Sequence, residues 1–179
     1  MSAAPGGHTP AGGVLVGSSG ARRSLVLYED PQCPFCRKLE HATGDLLRRE
    51  VAAGTVAVEY RMRSFLGPES VRADAALAAA AELGRFDELR RELFDAQPRE
   101  HSGGFTVEDL LAAGERAGIE DPAYADAVRE GRYEAWVQER DEALQEEDPD
   151  GTPQARLDGE WVDPDVFYDA ERLGALLRG

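Results

Sequence analysis

The sequence predicts an α/β domain whose sheet is interrupted by a long helical insertion, and three observations carry that expectation. A β-rich apolar run, Ser24-Leu25-Val26-Leu27-Tyr28, is followed by a helical pattern and then by a second β-rich run, Val56 to Tyr60. From there to residue 147 the apolar residues recur at helical spacing. Past residue 150 the pattern returns to strand, turn and strand, closed by a last helix. A chain of 179 residues with 42% hydrophobic content suits one domain with a sizeable core.

Residues 1–13 are rich in Gly, Ala and Pro, and read as a flexible N-terminal tail. Residues 14–66 form the first part of the domain. Val14-Leu15-Val16 is a short strand, and Gly17-Ser18-Ser19-Gly20 is the turn before the strand at Ser24. Arg37-Lys38-Leu39 to Leu46-Leu47 continues as a helix, and a β-α-β unit of this size implies parallel pairing of its two strands. Residues 67–147 form the helical insertion. Ala73, Ala76, Leu77, Ala80 and Leu83 share one stripe, and Phe86, Leu89 and Leu93 another. Thr106 caps a helix, and two more helices cover Pro122 to Val128 and Arg132 to about Glu146, with Tyr124, Tyr133 and Trp136 facing the core. Residues 148–179 form the second part of the domain: a hairpin from Pro153 to Val162 turning at Asp158-Gly159, then a helix from after Pro164 to about Leu177.

Charge narrows the partners. A formal net charge of −15 argues against nucleic acid and anionic membrane surfaces. No apolar stretch approaches the ~18 residues of a transmembrane span. The N-terminal tail lacks both the basic start and the apolar middle of a signal peptide, so the expected location is the cytoplasm. His8, His41 and His101 are scattered, no serine has a nucleophile-elbow context, and no Gly-rich phosphate loop precedes a helix.

The chemistry concentrates at Cys33-Pro34-Phe35-Cys36, which holds both cysteines of the chain. They fall where a strand turns into a helix. Unpaired backbone N–H groups and the positive end of the helix dipole there favour a thiolate at Cys33. Pro34 lacks a backbone N–H, which costs nothing in the first helical turn. Other readings of the spacing compete with thiol–disulfide chemistry. A structural disulfide would close a tiny loop and remove little unfolded-state entropy. A zinc site using Cys33, Cys36 and His41 would be short of ligands, so no metal is expected, and an iron–sulfur cluster would need thiolates from other chains.

A second motif stands far downstream, where Gly151-Thr152-Pro153 precedes the hairpin and allows a cis peptide bond before Pro153. Together Tyr28-Glu29-Asp30-Pro31-Gln32-Cys33-Pro34-Phe35-Cys36 and Gly151-Thr152-Pro153 resemble the motifs of DsbA-like members of the thioredoxin superfamily, from about residue 23 to the C-terminus. The resemblance implies a thioredoxin-like α/β fold with a helical insertion. It also implies a protein-disulfide oxidoreductase in which Cys33 attacks and Cys36 resolves, and in which Thr152 and Pro153 bind substrate backbone. Pro34 and Phe35 add contacts beside the sulfur, with Phe35 offering an apolar surface. The redox pair itself carries two electrons, so no dissociable cofactor is expected. Implied partners are disulfide- or thiol-containing proteins or small thiols, and a thiol electron donor. In a reducing cytoplasm the expected direction is reduction of disulfides. The alternatives are a small-molecule isomerase or glutathione-type transferase on the same fold, and a non-catalytic protein-binding module.

Three departures from the family pattern matter. Relatives keep a buried acid six positions before the nucleophile, where this chain has Leu27; Glu29, on the same strand face, is the candidate replacement as proton relay, with a solvated turn position for Glu29 and Asp30 as the other reading. Asp148-Pro149 stands where relatives place Gly-Val, at the end of an acidic run that includes Glu139, Asp141, Glu142, Glu146, Glu147 and Asp150. If Pro153 faces Cys33, the negative potential of that run reaches the sulfur, holds the thiol pKa up and favours neutral or basic substrate segments; a helix with a solvated charged face is the other reading. Finally, Gln154-Ala155-Arg156-Leu157 is less apolar than usual, but alternation still places Ala155 and Leu157 on one face.

Overall fold

One mixed sheet organises the computed structural model, which describes residues 5–146 and 151–179. Its strands are β1 (Val14–Val16), β2 (Arg23–Glu29), β3 (Val56–Met62), β4 (Gln154–Leu157) and β5 (Glu160–Trp161), in the spatial order β1-β3-β2-β4-β5. The parallel pair is β2 with β3, in the register Leu25 to Val58 and Leu27 to Tyr60. All other pairings are antiparallel, including Leu27 opposite Ala155. The helix α1 (Pro34–Ala52) links the parallel strands, as a β-α-β unit requires. This is the expected thioredoxin-like arrangement.

Leu25 and Leu27 enter the main core with Leu39, Leu47, Ala155 and Leu157, because strand alternation and helical spacing put them all on facing surfaces. Asp158 and Gly159 both have positive φ (51° and 91°), the backbone that a type I′ hairpin turn demands. The Asp158 carboxylate also accepts from the Ser24 amide at 2.9 Å and pairs with Arg23, tying the hairpin to β2.

The insertion consists of α2 (Pro68–Glu82), α3 (Phe86–Asp95), α4 (Val107–Arg116), α5 (Pro122–Glu130) and α6 (Glu134–Gln145). Thr106 caps α4 in a reciprocal capping box with Asp109. The alanine-rich α2 is buried on most of its surface and packs against α3, α5 and α6. The insertion is no separate unit, since Ala76, Leu89, Phe105 and Leu110 share the main core with the sheet. Val71, Ala75, Ala78, Trp136 and Val137 make a satellite core between α2 and α6. Tyr124 and Trp136 are buried as expected, with the Tyr124 hydroxyl donating to the Leu110 carbonyl at 2.8 Å, whereas Tyr133 is half-buried and donates to Glu82 at 2.5 Å.

Four expectations are corrected. The described part of the N-terminal segment is docked: Thr9 donates to Glu59 at 2.5 Å, and the His8 ring meets Trp136 edge-on at 4.7 Å, covering the satellite core. The final helix is split into a 3₁₀ turn (Pro164–Tyr168) and α7 (Ala170–Arg178), because Asp169 adopts an extended backbone and caps the amides of Glu171 and Arg172. The helix expected from Arg132 begins at Glu134 instead, after Gly131 ends α5 in the left-handed conformation. The acidic run is not a uniformly solvated face. Asp141 is buried, accepting from Arg63 at 2.7 Å and from the Ser64 amide at 3.1 Å, while its neighbour Arg140 pairs with buried Asp74. Glu147, Asp148, Pro149 and Asp150, which include the expected boundary of the insertion, lie outside the described residues. Among the described residues no helix is long and apolar enough to cross a membrane.

Candidate active site

Cys33 is the N-cap residue of α1, with an extended backbone, and Pro34 follows at the first helical position. Its amide donates to the Asp30 carbonyl at 3.0 Å, closing the turn out of β2. Its carbonyl accepts from Cys36 and Arg37 in the first turn, and from the Gln97 side chain at 3.0 Å; Gln97 also donates to the Pro31 carbonyl at 2.8 Å. The end of α3 therefore clamps the cysteine turn from outside it. Cys36 is fully buried and packs with Phe94 and Leu66. Phe35 is 59% exposed beside the pair.

The Gly-Thr-Pro segment meets the cysteines across the molecule. The thiol of Cys33 donates to the Thr152 carbonyl at 3.2 Å, and the Thr152–Pro153 peptide bond is cis. Among the described residues the Thr152 hydroxyl is buried without a hydrogen-bond partner while Cys33 is a thiol. Once Cys33 ionises, that hydroxyl is placed to donate to the thiolate.

The two sulfurs are driven apart in acidity. Cys33 falls from an ordinary value of 9.0 to about 6, first because the Cys36 thiol donates to its sulfur. The Thr152 hydroxyl and the amides of Cys36 and Phe35 add to this, against the opposing effect of burial. Cys36 moves the other way: burial raises it, and so do its hydrogen bond to Cys33 and the nearby negative charge of Glu29. The expectation that carboxylates would hold the Cys33 thiol high is thereby reversed, because hydrogen bonds to sulfur act at contact range.

Glu29 and Asp30 are both wholly buried, which removes the solvated-turn reading. Arg90, on α3, holds Glu29 through two bonds of 2.7 and 2.8 Å and reaches Glu40 at 2.7 Å. Its guanidinium lies over the rings of Tyr60 and Phe94, at 4.5 and 5.1 Å. Burial pushes Glu29 up in pKa while Arg90 pulls it down, and burial prevails. Leu27, where an acid was sought, is an apolar core residue opposite Ala155. Asp30 accepts from Ser70 at 2.6 Å and from the amides of Gln32 and Leu66 at 2.8 and 3.2 Å, yet burial raises it to about 7. Gln32, also buried, bonds the Leu66 carbonyl and Ser70.

Arg90, Glu40, Gln32 and Gln97 are the site residues that sequence reasoning did not pick out. A signal for Arg90 was present. It falls on the apolar stripe of Phe86, Leu89 and Leu93, and an arginine on a buried face requires an acidic partner.

The comparisons agree with this geometry. The family model described as Thioredoxin matches residues 9–176, reaching further towards the N-terminus than the motifs alone suggest. The fold is similar to a reduced disulfide bond oxidoreductase, DsbG, from Mycobacterium tuberculosis, at 26% identity and TM-score 0.76, covering 87% of this chain and 82% of that one. It is also similar to oxidised DsbA from Mycobacterium tuberculosis, at 26% identity and TM-score 0.73, covering 84% and 85%. The MdbA thiol-disulfide oxidoreductase of Actinomyces oris shares the fold, with 20% identity, TM-score 0.85 and coverage of 97% and 88%. No curated protein sequence matches the chain. With the cysteine pair at the start of α1 and Thr152-Pro153 packed against it, this chain belongs to the thioredoxin family as a DsbA-like protein-disulfide oxidoreductase.

Proposed function

We propose that the protein donates its Cys33–Cys36 disulfide to polypeptide dithiols. The observation that carries this reading is the opposed acidity of the two cysteines: Cys33 is drawn down to about 6 while Cys36 is pushed up. Lowering Cys33 from 9.0 to about 6 stabilises the reduced pair about tenfold at pH 7, or ~30 mV towards an oxidant for a two-electron couple. The reducing direction rests on the cytoplasmic setting alone, whereas this direction has support in the site.

In the forward reaction a substrate thiolate attacks the Cys33 sulfur, the bond to Cys36 breaks, and Cys36 leaves with the electron pair. Its high pKa makes it take up a proton, for which buried Glu29, whose negative charge acts on Cys36, is the relay. The second substrate thiolate then attacks the substrate sulfur of the mixed disulfide, and Cys33 departs as a stabilised thiolate. The substrate has lost two electrons and the cysteine pair has gained two, so the chemistry needs no dissociable cofactor. Thr152 and Pro153 hold the substrate backbone beside the sulfur, with Pro34 and exposed Phe35 as the apolar contact.

The test is the reduction potential, measured by equilibration with glutathione. Against thioredoxin, whose nucleophile titrates near ~7, a Cys33 value of about 6 stabilises the reduced pair about fivefold at pH 7, so the expected potential is about 20 mV less negative than its ~−270 mV, and an equal or more negative value overturns the proposed direction. Cys33→Ser should abolish exchange, and Cys36→Ser should accumulate mixed disulfides through Cys33.

A further inference from the structure

Beside the nucleophile lies a cavity of about 350 Å³ whose lining includes Gln32, Pro34, Arg37, Gln97, Arg99 and Glu100. The same elements that hold Cys33 build its walls. Pro34 and Arg37 belong to the first turn of α1, and the Gln97 side chain already bonds the Cys33 carbonyl at 3.0 Å. Arg37 and Arg99 are exposed and make no ion pair among the described residues. Glu100 lines the same hollow, with its carboxylate 3.1 Å from the exposed His101 ring, so the two guanidinium groups outnumber the one carboxylate there. Lys38, next along α1, is also occupied, with its ammonium 4.3 Å from the centroid of the Tyr168 ring. Two guanidinium groups without an ion-pair partner among the described residues therefore line a polar hollow next to the turn that carries Cys33, in a chain whose net charge is −15.

We propose that this cavity receives a carboxylate side chain flanking the reacting cysteine of a polypeptide substrate. Arg37 and Arg99 are the specificity-determining residues. The inference rests on the oxidoreductase reading and adds a substrate class to it. A planar guanidinium matches a carboxylate with two parallel hydrogen bonds, and the glutamine amides of Gln32 and Gln97 supply neutral polar walls. The preference runs against the field of the whole chain, which repels acidic peptides at long range, and reverses the neutral or basic substrate segments expected from the acidic run. A local cationic pocket is what lets such a substrate approach Cys33.

The experiment uses the full-length reduced protein and blocked peptides whose cysteine carries a pyridyl disulfide, flanked by Glu, Gln or Lys. Cys33 thiolate forms a bond to the peptide sulfur, the bond to the pyridyl sulfur breaks, and pyridinethione leaves with the electron pair and is read by its absorbance. Each rate is divided by that of the Gln peptide on the same protein, which removes any effect of a substitution on the Cys33 thiolate itself. In Arg37→Gln/Arg99→Gln the Glu:Gln ratio should fall about three- to tenfold relative to the unsubstituted protein, while the Lys:Gln ratio rises. A Glu:Gln ratio that moves less than about twofold, or rises, overturns the inference. So does a loss confined to the glutathione pyridyl disulfide, because the occupant would then be a small thiol. The neutral dipyridyl disulfide separates the two levels. If the unsubstituted protein fails to react with it, the oxidoreductase reading fails; if it reacts and the ratios do not move, only the carboxylate pocket fails.

Discussion

Arg90→Met removes the cation that holds Glu29 through two hydrogen bonds, and the cost can be worked from the contacts. Methionine is unbranched and nearly fills the channel between the Tyr60 and Phe94 rings, so the packing loss is small and the electrostatic loss dominates. Glu40 keeps Arg48 at 2.8 Å, but Glu29, wholly buried, loses both of its bonds to Arg90. Breaking a buried pair by deleting one partner costs about 3–5 kcal/mol, a large share of the ~5–15 kcal/mol typical of a domain. Replacing both members by apolar groups is close to neutral, so Glu29→Leu/Arg90→Met should recover to within about 1 kcal/mol of the starting protein. Urea denaturation of the reduced forms measures all three. The sign of the pH dependence is also determined. Without Arg90, burial and the nearby negative charges of Glu40 and Cys33 all act on Glu29 in one direction and raise its folded pKa further above the unfolded value of ~4.3. Such a group stabilises the fold below its unfolded pKa and loses that contribution as pH rises through the folded one. The deficit of Arg90→Met should therefore shrink towards pH 5 and widen towards pH 8. A single variant within about 1 kcal/mol of the unsubstituted protein, or a double variant no better than the single, would refute the reasoning.

Three further outcomes follow from the same site. Alkylation of Cys33 by iodoacetamide should titrate with a midpoint of about 6, falling tenfold per pH unit below it and levelling off above pH 7; a midpoint above 8 contradicts the hydrogen-bonded thiolate. Thr152→Val removes the hydroxyl that has no partner in the thiol form, so the alkylation midpoint should rise by about one unit with little change in the urea midpoint. Gly44→Ala should destabilise α1 although alanine is the better helix former by ~1 kcal/mol, because its Cβ would stand 2.5 Å from the Glu40 carboxylate that Arg90 and Arg48 hold in place. A higher urea midpoint for that variant counts against the buried charge cluster as a rigid unit.

Much of this site was legible because its signals are local. The order strand, Cys-Pro-Phe-Cys, helix puts Cys33 at the start of α1 by chain connectivity alone, and the Thr106 cap and the Asp158-Gly159 turn are short-range patterns with one geometric solution. Leu27 and Glu29 were assigned to one strand face by alternation, and both turn inward to bury. What stayed hidden was set by partners distant in sequence. Arg90 is 61 residues from Glu29 and 50 from Glu40, and nothing around Glu29 tells that its carboxylate is neutralised from α3. Asp141 looked like one more charge on a solvated face until β3 delivered Arg63 beside it. His8, in a segment that reads as a tail, covers Trp136 only because α6 brings that ring to the surface of the satellite core.

The sequence by itself determined that there would be a two-cysteine redox centre on an α/β sheet with a helical insertion, because spacing and periodicity are properties of neighbours along the chain. How that centre is poised is only partly local: the first pull on Cys33, from the Cys36 thiol and then the helix-start amides, lies within the motif. The tertiary structure alone decided the rest, because thiol acidity depends on burial and on which dipoles and charges stand within a few ångströms of sulfur. It buries Cys36, brings Thr152 from 119 residues past Cys33, and places Glu29, held by an arginine of the insertion, where its charge acts on Cys36.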